Sequence, residues 1–206
     1  MKKLQLLLGL LIAMYSMYGI GFHLAEGERI QEPTSRDYHF RYHNGQNDFN
    51  FYGVNKWAVK FNFRSAYSSL ANCGFNVSGA RLWFPIVGDS VTVELVSDVN
   101  GVPTQVLRRE KVPVSNQTVD VSFSSVLYAE KVWLFVSYST NLIDRFVAAS
   151  NGGGTNSYYV SDFGTQQSLS NMANSGFNCE LLFGLIGEFR SEERRVGKEC
   201  RYRWAP

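Results

Sequence analysis

The feature that most constrains this chain is a two-residue alternation of apolar and polar side chains, repeated in short segments. In "WAVKFNF", Trp57, Val59, Phe61 and Phe63 point one way, and Ala58, Lys60 and Asn62 the other. "SVTVELVS" does the same with Val91, Val93 and Leu95, and "TVDVSF" with Val119, Val121 and Phe123. This is the period of a strand with one buried face. "FNVSGARLWF" (75–84) and "KVWLFVSYS" (131–139) are apolar on both faces, as central strands are. Further strand segments are 104–114, 145–150, 156–162 and 179–188. Turn signals separate them: Gly88-Asp89, Asn100-Gly101, Ser115-Asn116 and the "NGGG" loop from Asn151 to Gly154. No segment between strands is long enough for a crossover helix with an apolar stripe, which excludes a parallel α/β fold. The expectation is all-β, an antiparallel β-sandwich of eight or nine strands. Uneven loops favour the sandwich over a closed barrel. Pro103 places the segment after the Asn100-Gly101 turn at a sheet edge.

The two ends read differently from the middle. Lys2 and Lys3 precede the apolar run "LQLLLGLLIAMYSMYGIGF", the pattern of an export signal over residues 1–27, preceding the domain as a hydrophobic helix. An uncleaved membrane anchor is the alternative, because about 20 apolar residues span a bilayer. A charged, Pro-containing stretch then reads as a linker over 28–37. The sandwich occupies 38–189. The last segment, 190–206, is dense in charge, and "RSEERRVGKEC" resembles the translation of a common short-read sequencing adapter. It is set apart as a non-native tail, with the native chain expected to continue past Phe189 into further domains.

Setting the tail apart changes the charge argument. It holds six of the 20 Lys+Arg and three of the 18 Asp+Glu, leaving 14 against 15. The net positive charge of the whole chain therefore belongs to the tail, and no nucleic-acid partner is expected. A membrane is met only through the N-terminal segment, if that is retained. About 160 residues remain between the ends, enough for one domain with a proper core.

Several of these segments together carry a resemblance. "YHNGQNDFNFYGVNKWAVKF", "VSGARLWF", "DVNGVP" and "KVWLFVSYS" are similar to jelly-roll modules of secreted bacterial multidomain proteins, of the cleaved-adhesin and carbohydrate-binding kind. The similarity covers most of residues 38–188. It implies a jelly-roll sandwich at the cell surface or outside the cell, with an adhesive or accessory role. The implied partner is a glycan or a surface polymer.

The chemistry-bearing residues are few. Exposed aromatics would mark a sugar-binding surface, since a flat ring stacks on the C–H face of a pyranose. Tyr138, Tyr158 and Tyr159 are the candidates, with Trp83 and Trp133 either joining them or filling the core. Adjacent strand positions face opposite ways, so one of Tyr158 and Tyr159 faces out. Calcium is the one cofactor left open: Asp89, Asp98 and Asn100 offer loop oxygens suited to a hard cation. The competing reading of "SDVNG" is an ordinary turn, and it is preferred. Cys73 and Cys179 stand at two strand starts, where a disulfide and two separate buried thiols are equally plausible; a bridge would contribute up to about 4–5 kcal/mol. His39-x3-His43 lacks the helix that would make it a zinc pair, so both histidines are read as exposed at the domain edge. Glu94, Asp120 and Glu180 fall at positions read as solvent-facing. There is no G-x-S-x-G elbow, H-E-x-x-H motif or P-loop. The expectation is a non-catalytic binding or adhesion module, with a spacer domain as the alternative and an all-β hydrolase last.

Overall fold

A computed structural model describes residues 21–29, 38–63, 73–138, 145–153, 155–163 and 166–191. The N-terminal hydrophobic run to residue 20, most of the expected linker, and residues 192–206 lie outside the described residues. What is described is almost entirely strand, all of it antiparallel, with one 3-10 turn at Ala173–Ser175.

In chain order the strands are β1 (Gly21–Arg29), β2 (Tyr38–Arg41), β3 (Gln46–Tyr52), β4 (Lys56–Asn62), β5 (Cys73–Trp83), β6 (Ser90–Val99) and β7 (Val102–Pro113). They continue with β8 (Thr118–Ala129), β9 (Lys131–Tyr138), β10 (Val147–Asn151), β11 (Ser157–Phe163), β12 (Gln166–Asn171), β13 (Cys179–Leu181) and β14 (Phe183–Ser191). One layer is a six-stranded sheet, β12-β11-β4-β9-β6-β7. The other is built from two four-stranded sheets, β1-β3-β10-β13 and β2-β14-β5-β8. These two meet at Leu182, whose N–H donates to the Ala148 carbonyl and whose carbonyl accepts from Trp83. The chain changes layer at most connections, so neighbouring strands are seldom consecutive.

The expected alternation decides which side chains fill the space between the layers. Trp57, Val59 and Phe61 of β4, Val91, Val93 and Leu95 of β6, and Val132, Leu134 and Val136 of β9 all enter one core. From the opposite layer come Phe51, Phe75, Val77, Leu82, Val121, Phe183 and Leu185. Phe40, Phe63, Phe75 and Phe189 pack edge to face or stacked with ring centroids 4.8–6.5 Å apart, the spacing aromatic pairs prefer. Strand β9 is central in its sheet, as its two apolar faces required. Its outward row, with Trp133 and Phe135, belongs to a second buried apolar cluster that includes Ala58, Val96 and Val160.

The strand count exceeds the eight or nine expected. The segment read as 179–188 is broken at Leu182 into β13 and β14. Strands β2, β3 and β12 were missed because their polar composition hides the alternation; "QQSLSN" has one apolar residue in six. Residues 21–29 were read as the end of the signal and the start of the linker. Their backbone pairs with β3, Phe22 opposite Phe51 and Leu24 opposite Phe49. At the other end β14 runs two residues past Phe189, pairing Arg190 with Gly74 and Ser191 with Cys73.

Candidate binding site

The outward face of the six-stranded sheet is ordered in cross-strand rows. One row runs Leu169, Val160, Lys56, Ser137, Thr92, Lys111, from β12 to β7. The next runs Asn171, Tyr158, Ala58, Phe135, Glu94, Arg109. A third holds Lys60, Trp133, Val96 and Val106, and β4 and β9 end together at Asn62 and Lys131. Sheet register thus sets an aromatic strip, Tyr158, Phe135 and Trp133, among cations.

Those cations seal the strip. The Lys56 ammonium lies 4.8 Å from the Phe135 ring centroid and that of Lys60 lies 5.3 Å from Trp133, within cation–π range. Tyr158 packs edge-on against Trp133 at 4.8 Å. Trp133 is left only 1% exposed. Two carboxylates hold the lysines in place. Glu94 accepts from Lys56 at 3.2 Å and from Arg109 Nε at 2.8 Å. Burial alone would raise the Glu94 carboxyl, but Arg109 and Lys56 together hold it below the usual range. Asp98 lies 3.5 Å from Lys60.

At the β4–β9 end this face opens into a groove of about 770 Å³, lined by Asn62, Asp98, Val99, Asn100, Tyr128, Ala129, Glu130 and Lys131. Two tight turns make its walls. In the β6–β7 turn, Asn100 and Gly101 both have positive φ, 54° and 88°, the geometry for which Asn-Gly is the preferred hairpin pair. In the β8–β9 turn, Glu130 separates two strands. The Tyr128 ring, 38% exposed, lies over Gly74, where a Cβ would collide with it. The groove is therefore lined by two side-chain amides, a partly exposed aromatic ring, carboxylates and an ammonium. That set suits hydroxyl-rich ligands: amides and charged groups bond hydroxyls, and the ring covers an apolar C–H face.

The tyrosines predicted from sequence separate. Tyr158 is on the outward strip, half-buried. Tyr159 points into the core, bonded through its hydroxyl to Ser175 at 3.0 Å. Tyr138 is also in the core; its hydroxyl donates to the Phe146 carbonyl at 2.7 Å, and burial pushes its pKa up. Both inward tyrosines belong to the core between the layers.

The three oxygen donors considered for calcium do not converge. Asp89 precedes β6 and Asp98 closes it, about 30 Å away along an extended strand. Asp89 pairs with Arg145 at 2.9 Å. Asp98 is spent on the turn: one oxygen accepts the Gly101 N–H at 2.9 Å, the other Trp133 Nε1–H at 2.8 Å. Of these contacts, the Gly101 N–H to Asp98 bond is the one a turn supplies. Among the described residues no three His, Cys, Asp or Glu side chains are grouped to hold a metal.

Other expectations are corrected. Of the two readings left open for the cysteines, Cys179 follows that of a separate buried thiol, with its pKa pushed up to about 12 by that burial and by Glu180; the Cys73 side chain lies outside the described residues. Cys179 belongs to the β1-β3-β10-β13 sheet and Cys73 to the β2-β14-β5-β8 sheet. His43 is buried rather than exposed. Its Nδ1 accepts the Gly45 N–H at 3.1 Å, and its ring centre is 6.0 Å from that of His39. Burial, then Arg41 and His39, lower its pKa well below the ordinary value. Of the acids read as solvent-facing, only Asp120 is; it pairs with Arg81. Glu180 is buried and holds the 155–157 segment, accepting from Ser157 Oγ at 2.6 Å and from the Thr155 and Asn156 N–H groups at 3.2 Å.

Sequence reasoning missed Tyr128, Asn62 and Lys131. The signal for Tyr128 was present: continuing the alternation of Val119, Val121 and Phe123 to Leu127 and Ala129 turns Tyr128 outward. The β8–β9 turn joins Tyr128 to Lys131, and strand pairing brings Asn62 opposite Lys131, which no local pattern carries.

No protein-family model matches the chain, and comparison with curated proteins gives no match. It is similar in structure to the cysteine protease and lectin-like domains of Cwp84, a surface layer associated protein of Clostridium difficile, with a TM-score of 0.56 and 15% identity. The similarity covers 79% of this chain and 37% of that one, so the chain spans little over a third of its structural neighbour. At this identity the likeness is one of fold: a β-rich sandwich.

Proposed function

We propose that this chain is a non-catalytic, exported accessory module of jelly-roll type that binds a glycan or surface polymer in the groove between the β6–β7 and β8–β9 turns. The observation carrying the reading is the groove itself, which Tyr128 lines together with Asn62, Asn100, Glu130 and Lys131. The structural neighbour adds support, being a surface-layer associated protein with a lectin-like domain. The reading requires no metal or other cofactor, because the polar groups in the groove are the protein's own. It places the module at the cell surface or outside the cell, serving further domains of a larger protein.

Calorimetric titration of the chain with oligosaccharides selected on a glycan array tests this. Tyr128→Ala should lower affinity by about tenfold or more, since loss of a stacking ring removes about 1.5 kcal/mol, while the far-ultraviolet circular dichroism stays unchanged. Incubation with the bound glycan should release no new reducing ends. Affinity unchanged by Tyr128→Ala would contradict the site, and release of reducing ends would contradict the non-catalytic assignment.

A further inference from the structure

We infer that the polymer taken by this face is an anionic glycan, one carrying carboxylate or phosphate groups along its length. The inference rests on the binding reading just given and adds the charge of the ligand to it. Among the described side chains, the outward face of the six-stranded sheet and its groove carry Lys56, Lys60, Arg109, Lys111 and Lys131. Against them stand Glu94 and Asp98, with Glu130 at the rim. Glu110 belongs to the inward row of its strand, opposite Val93. The excess is positive on a chain that, without residues 190–206, is slightly negative overall.

The disposition of these charges matters more than their number. Glu94 and Asp98 are buried at the base of the face and already committed, Glu94 to both Lys56 and Arg109 and Asp98 to Lys60. Three cations thus share two carboxylates. Arg109 is 64% exposed although paired, so its outer N–H groups face solvent. Lys111 and Lys131 are exposed and enter no ion pair among the described residues. The accessible layer is therefore cationic and the neutralising layer lies beneath it. From the row of Lys56 to that of Asn62 is about 20 Å along β4, room for several sugar units between the Lys111 row and the groove at Lys131. A polymer with regularly placed negative groups meets a cation at each end of this run and an aromatic ring in the groove. A neutral one meets only the groove.

The test is binding of the full chain, by affinity electrophoresis and calorimetry, to polygalacturonate and to polyglycerol phosphate. Neutral dextran and β-glucan serve as the uncharged arms and single-stranded DNA as a non-glycan polyanion. The prediction is retention by one or both anionic glycans, weakened about tenfold by the pair Lys111→Glu and Lys131→Glu, less by Lys111→Gln and Lys131→Gln, and progressively by added salt. The pair Arg194→Glu and Arg195→Glu should change nothing. Which anionic arm responds tells carboxylate from phosphate. A neutral glycan bound as tightly, with Tyr128→Ala abolishing it and charge reversal silent, would overturn this inference and leave the binding module standing. Retention by no glycan would overturn both. Equal retention by DNA, or loss only in the Arg194 and Arg195 variant, would assign the effect to general polyanion binding or to the tail and overturn the inference.

Discussion

Trp57 and Trp133 show how one strand pair puts the same residue type to two uses. Trp57 is fully buried between the layers, against Phe51 and Tyr159. Its replacement by Ala should cost about 3–5 kcal/mol in urea denaturation, the range for a large aromatic removed from a packed core. Trp133 is equally hidden, but on the outward face, under Lys60 and bonded to Asp98. Asp98→Ala would leave the Gly101 and Trp133 donors without their acceptor and Lys60 without its partner. It should cost about 2–3 kcal/mol and loosen the groove wall; unchanged stability would show that the turn holds without it. The histidines give a pH dependence of the same kind. Burial, then Arg81, lowers the His39 pKa to about 4, with Asp120 opposing, and His43 is lowered too. A histidine lowered on folding stabilises the fold above its unfolded value of 6.5, and that stability is lost as pH falls toward the folded value. Glu180 opposes this, because burial raises its carboxyl and its contribution returns on acidification. Stability should therefore fall between about pH 6.5 and 4 by about 2–3 kcal/mol on account of His39. In His39→Gln the slope should flatten; an unaltered slope would remove His39 from the account.

At the level of strands and turns, the groove depends on two short connections. Gly101 holds φ at 88° within the β6–β7 turn. Gly101→Val should cost about 1–2 kcal/mol from the left-handed conformation alone, and amide exchange in that hairpin should accelerate before that in β9. The hairpin was legible in the sequence, because Asn-Gly flanked by alternating apolar residues has few other solutions. So were β4, β6, β9 and the central position of β9, each spelled out by its own side chains. The split at Leu182 was not, since "CELLFGLIGE" is apolar throughout and a change of partner sheet leaves no trace in such a run. Nor were β2 and β3, which pair with strands distant in sequence, nor β12, which forms a hairpin with β11 but has one apolar residue in six. Only one of the three tyrosines singled out, Tyr158, reached the outward face. The alternation told that Tyr158 and Tyr159 differ, but not which faced out, because both sides of β11 meet apolar residues.

For the whole molecule the account places binding on one face and stability on the other contacts. The six-stranded sheet turns its inner rows to the core, and the groove at its β4–β9 end is completed by Tyr128 and Ala129 of β8, from the opposite layer. Substitution of the exposed groove side chains Tyr128 and Lys131 should then alter affinity without altering the unfolding transition, unlike that of Asp98, and core substitutions should do the reverse. The most direct measurement is a two-dimensional amide NMR titration of the labelled chain with neutral and acidic oligosaccharides. Shifts should concentrate at the end of β4, in the β6–β7 turn and from Tyr128 to Lys131, and fade toward β2 and the β1-β3-β10-β13 sheet. Shifts confined to the β1-β3-β10-β13 sheet, or none with any glycan, would contradict binding in the groove.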